Sequence, residues 1–141
     1  MSTYNFANGS IAGTRRSNQA SAGDSNTVQI RRGFVDTTKQ NLANADVAQC
    51  IAITAGEVVT QCWIRTITVD STSNATIDVV IDGTTVVADH ATATANSIKS
   101  NAVPIHVGNS GYISLSPTNG VAIDAGVFEV CAVVTKSFSK L

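Results

Sequence analysis

Asp89-His90 sets a carboxylate beside an imidazole, the pairing from which a general base is built. A base needs a nucleophile to act on, and the chain is rich in serine. A serine nucleophile of the elbow type needs a G-x-S-x-G turn, and no such pattern occurs; "GNSG", residues 108–111, reads as a plain turn. His90 is therefore expected to be a loop histidine and His106 an edge-strand histidine. Cys50, Cys62 and Cys131 are far apart, each within a β-rich run, and no two metal-ligating residues stand at a metal spacing. The cysteines read as buried small hydrophobes. A Cys50–Cys62 bridge across a hairpin is conceivable in register but disfavoured in a reducing compartment. Asp78 and Asp82 share the outward side of one strand, where Ca²⁺ would need further oxygen ligands that the sequence does not supply. Asn8-Gly-Ser and Asn74-Ala-Thr match the glycosylation sequon but follow no secretory leader. No glycine-rich phosphate loop is present. The sequence thus offers no catalytic residue, no cofactor site and no metal site.

Trp63 is the sharpest single residue. It lies mid-strand, on the same parity as Val59 and Ile67. A lone Trp there anchors either a core or, because the opposite parity is also apolar, an interface between subunits.

Charged residues make up 13% of the chain, about half the share usual in a soluble domain. Thr, Ser and Asn must therefore supply the polar surface, and such surfaces repel their own copies only weakly. Aromatics are 5%, thin for a platform that stacks sugars or bases. The net charge of −1 is unevenly spread: residues 1–39 sum to +3 and residues 40–135 to −6. Arg15, Arg16, Arg31 and Arg32 are the candidate partner-binding residues, docking on an acidic patch of a neighbour. A few arginines without interleaved aromatics make a poor phosphate footprint, which argues against nucleic acid. No run approaches the ~18 apolar residues of a membrane span, and "MSTYNFANGSIAG" lacks the charge and apolar core of a leader, so synthesis in a cytoplasm is expected.

Residues 1–26 hold few large apolar side chains and are expected to form an extended polar, basic arm that orders on a partner. Residues 27–141 read as one all-β domain, a β-sandwich or jelly-roll-like body of about eight short strands. "NATIDVVID" alternates cleanly, and Asp82-Gly83 supplies the positive φ angles of a tight hairpin. Asn119-Gly120 is a second tight turn. His90 to Asn101 reads as a polar, irregular connection. In the run 57–70 the alternation fails, which means burial on both faces or a bulge. Two stretches echo one another: "ITAGEVVTQCWIRTITVD", 53–70, and "IDAGVFEVCAVV", 123–134. Each sets an Ala-Gly corner before a β-rich run, and the two strands are expected to hold related places in the sandwich.

A polar arm, then "NLANADVAQCIAITAGEVVTQCWIRTITV", then "DAGVFEVCAVV", resembles the small all-β structural proteins of tailed bacteriophages, nearest to the capsid decoration, or cement, class. The resemblance covers roughly residues 27–135 and brings no catalytic motif. It implies a sandwich, commonly a homo-trimer, seated on the major capsid protein at the exterior of the virion, with a terminal arm reaching a neighbouring capsomer. A tail, neck or fibre component is the rival within that class. A host-surface carbohydrate-binding module is the rival outside it.

Overall fold

The run "ATIDVVI" folds as its alternation predicts. Ile77, Val79 and Ile81 are fully buried, while Thr76 and Asp78 face outward. The computed structural model describes residues 1–7, 28–70, 75–101 and 104–136. Among them are ten strands and no helix: β1 (Thr3–Asn5), β2 (Gln29–Asp36), β3 (Val47–Ile53), β4 (Glu57–Thr68), β5 (Thr76–Ile81), β6 (Thr84–Ala91), β7 (Ile98–Asn101), β8 (Ile105–His106), β9 (Gly111–Thr118) and β10 (Val127–Lys136).

They form two sheets. Sheet A has the order β1-β3-β9-β5-β6, and sheet B the order β2-β10-β4-β7, with β8 sharing the far edge of β4. All pairings are antiparallel except β1 on β3. The inward rows of both sheets meet in one core. Ile51, Ile77, Ile113 and Leu115 come from sheet A; Val35, Ile64, Phe128 and Val130 come from sheet B. Leu42 and Ile123, joined by an isolated bridge, are also fully buried in it. The fold is a β-sandwich.

Both Ala-Gly corners are places where the chain crosses from sheet A to sheet B: β3 into β4, and β9 into β10. The strands they feed are the two central, mutually paired strands of sheet B. The two glycines act for different reasons. Gly56 turns with φ +94, which an L side chain rarely adopts, whereas a Cβ on Gly126 would fall 2.6 Å from the ring of Phe128. The Asp82-Gly83 hairpin has φ values of 48 and 78, as a tight primed turn requires.

Two expectations are corrected. The stretch 90–101 is not wholly irregular, since Ile98–Asn101 forms β7 against β4. The boundary at residue 26 also fails at its outer end. Residues 3–5 are a strand of sheet A, and Phe6 is fully buried in the core. The rest of the expected arm, with Arg15 and Arg16, lies outside the described residues.

Candidate interaction face

The broken alternation of β4 has a definite cause. Gln61 pairs with Val133 and Val59 with Val134, so Thr60 is an extra residue in the register, its hydroxyl donating to Val133 O at 3.2 Å. A bulge of this kind reverses the parity of everything beyond it. Val59 points inward before it; Cys62, Ile64 and Thr66 point inward after it. Trp63 is thereby turned out of the core and lies half-buried on the outer face of sheet B. Of the two sequence readings, the core anchor does not hold. The outward position is the one an interface anchor needs.

The register sets out this face as a grid. One row runs Arg32, Cys131, Trp63, Ser100; the next runs Phe34, Glu129, Arg65, Ile98. Ile30 and Val133 lie above them, and Asp36 and Val127 below. Glu129 sits at the centre, only 4% exposed. A carboxylate so far from water is costly unless paired. Arg65 reaches it at 3.2 Å from the neighbouring strand and Arg32 at 3.6 Å from the other side. The Arg65 Nε has no acceptor among the described residues. Arg32, Phe34, Arg65, Ile67, Val127 and Glu129 border an open hollow of about 600 Å³. A smaller one, about 270 Å³, lies beside Trp63 and Ile98. The arrangement suits contact with a surface that brings both apolar groups and carboxylates.

The four arginines named from the sequence divide. Arg15 and Arg16 lie outside the described residues. Arg31 and Arg32 are neighbours on a strand, so they point to opposite faces. Arg32 joins the outer face. Arg31 points inward and is spent there, donating to both carboxylate oxygens of Glu57, to Gln29 Oε1 at 2.7 Å and to Ala52 O at 3.2 Å. It is buried at 7% exposure and is unavailable to a partner. Arg65 and Glu129 were missed because each is a single charge in an apolar run. Their pairing depends on a register that the bulge shifts.

The Asp89-His90 dyad does not form. Asp89 is exposed, and its backbone N–H donates to Asp78 Oδ1 at 2.8 Å. His90 turns inward to 2% exposure, so it is a core histidine of β6 and not a loop histidine. Its Nε2 lies 2.8 Å from Thr66 Oγ1, and that hydroxyl donates to Ala91 O. The imidazole Nε2–H is therefore the donor. Burial, reinforced by Lys99, lowers the His90 pKa from 6.5 to about 4. Between those two values the unfolded chain takes up a proton that the native chain refuses. Stability is therefore full above about pH 6.5 and falls by about 3 kcal/mol as pH drops toward 4. An NMR titration of the ring is expected to give a midpoint near 4; a midpoint near 6.5 would place the ring in water.

Burial pushes the Cys62 thiol up to about 12, with Cys131 adding to the rise, and pushes Cys50 well above its ordinary value. Burial also raises Cys131, against an opposing pull from Arg32. All three behave as small hydrophobes at neutral pH. Among the described residues no cluster of three or more His, Cys, Asp or Glu side chains is placed to hold a metal.

No protein-family model matches the sequence, and neither does any curated protein. Solved structures do match by shape. A chain of the capsid asymmetric unit of cyanophage Pam1 superposes with a TM-score of 0.57 at 17% identity, over 89% of this chain and 96% of that one. A chain of the capsid of Ralstonia phage GP4 gives 0.56 at 13% identity, over 86% and 92%. At these identities the likeness is one of fold.

Proposed function

We propose that this chain is a non-enzymatic structural protein of a tailed-phage virion, one that decorates and stabilises the capsid from outside. The observation that carries this reading is the extent of the two matches. Each neighbour belongs to a phage capsid structure, and each is covered almost end to end, at 96% and 92%. The whole sandwich is the shared unit, not a fragment of it. In this reading the chain is made in the host cytoplasm and assembles as a homo-trimer on the major capsid protein. The segment with Arg15 and Arg16 straps a neighbouring capsomer and adds contact area without a larger fold. The outward Trp63 and the pairing of Arg32 and Arg65 on Glu129 support a role in contact; the inward His90 and the outward Asp89 remove the best candidate for catalysis.

The test is the copy number of this chain in purified virions, measured against the major capsid protein. A number comparable with that of the shell protein is expected. A handful per particle would move the chain to the tail, neck or fibre, and absence from the particle would overturn the virion reading.

A further inference from the structure

The strands of the two sheets differ in the charges they hold. The strands of sheet A contain Asp78 and Asp89 and no Lys or Arg, and Asp82 lies in the turn between β5 and β6. The strands of sheet B contain Arg31, Arg32, Arg65, Lys99 and Lys136 against Asp36, Glu57 and Glu129. Arg31 and Glu57 cancel inside the sandwich, and the Lys99 ammonium donates to Ala88 O of β6, so neither Arg31 nor Lys99 serves the outer face of sheet B. On the outer face Arg32 and Arg65 share one carboxylate, Glu129, while Asp36 is turned to the backbone N–H and hydroxyl of Thr38.

On sheet A two carboxylates are brought together. Asp78 sits opposite a bulge in β6, since Ile77 pairs with His90 and Val79 with Val87. The bulge holds Asp89 at φ 56 with its backbone N–H on Asp78. Neither acid forms an ion pair among the described residues. A pair of guanidiniums on one face thus matches a pair of carboxylates on the other.

We infer that copies of this chain associate head to tail, the outer face of sheet B in one copy packing on the Asp78–Asp89 side of sheet A in the next. Trp63 lies on a central strand of the sheet B face, one row from Glu129, with Ile30 and Ile98, 61% and 62% exposed, toward its two edges. The heterologous mode brings two guanidiniums that share one carboxylate, Glu129, against two carboxylates that have no cation of their own among the described residues. Four strands spaced ~4.8 Å, about eight residues long, present roughly 500 Å² of sheet. A stable pair usually buries about 800 Å² on each partner. A single contact is therefore weak and salt-sensitive, and a copy flanked on both sides makes two of them. The contact is independent of the virion reading.

The test is sedimentation velocity of the purified full chain, across concentration, at low and high salt. Association that weakens with salt is expected. Asp78→Asn with Asp89→Asn removes both charges and keeps φ > 0 tolerable at residue 89, because Asn adopts that region readily. It is expected to weaken association by about tenfold or more. Arg32→Glu is expected to weaken it similarly, and Asp78→Lys combined with Arg32→Glu in one chain to recover most of the loss. Circular dichroism verifies folding of each variant. A chain that stays monomeric at low salt overturns the inference. So does an oligomer indifferent to the Asn pair. Copy number in the virion is measured separately, so either reading can fail alone.

Discussion

Glu57→Ala is expected to lower the free energy of unfolding by about 3–5 kcal/mol. The reason lies in what remains. Arg31 and Glu57 sit at side-chain exposures of 8% and 3%, between the sheets at one end of the sandwich. Glu57 also accepts the backbone N–H of Thr54 at 2.7 Å, which holds the turn leading into β4. Removing the carboxylate strands a guanidinium that can neither reach water nor lose its proton. The pair itself is a different matter. Its mutual attraction roughly repays the desolvation of both ions, so Arg31→Met with Glu57→Leu is expected to cost far less than either single change. Urea denaturation of the wild type, Glu57→Ala, Arg31→Met, Glu57→Leu and the double variant checks this. Equal losses in the single and double variants would mean that packing volume, not charge, is what the site supplies.

The same residues explain how much the sequence could reveal. The β class, the sandwich, the two tight turns and the two corners were legible, because each follows from a local rule: alternation of period two, or a glycine where φ must be positive. Arg31 and Arg32 could have been separated by that rule alone, since adjacent strand residues face opposite ways; reading them as one basic group set the rule aside. Trp63 was not legible in this way. Its orientation hangs on one extra residue, Thr60, and that bulge shows only in the register of β4 on β10. The run 57–70 announced an irregularity without saying where it fell. Glu129, Arg32 and Arg65 lie on three different strands, so their cluster exists only after tertiary pairing.

The N-terminus was misread for a compositional reason. Tyr4 and Phe6 stand among Ser, Asn and Gly, and averaging over residues 1–26 hid them. Phe6→Ala is expected to cost about 3–5 kcal/mol, the usual range for a fully buried Phe. Phe6 is at 0% exposure, and its backbone N–H donates to Gln49 O at 2.8 Å. Just before it, β1 pairs in parallel with β3, and the Val47 N–H donates to Ser2 O at 2.7 Å. Buried Asp46 accepts the backbone N–H of both Ser2 and Ala43, fastening the segment at its start. Loss of Phe6 therefore opens a cavity and loosens the strand that covers the edge of β3. An uncovered edge is a template for pairing with other chains, so the variant is also expected to aggregate on heating. Urea denaturation gives the energy and light scattering the aggregation; a loss below about 1 kcal/mol would mean that the site collapses around the gap. The result bears on function as well. A truncation that removes residues 1–26 damages the sandwich itself, so failure to attach to a particle would say nothing about a strap. The decisive truncation keeps residues 1–7 and removes the stretch with Arg15 and Arg16, leaving β1 in place while the proposed contact is lost.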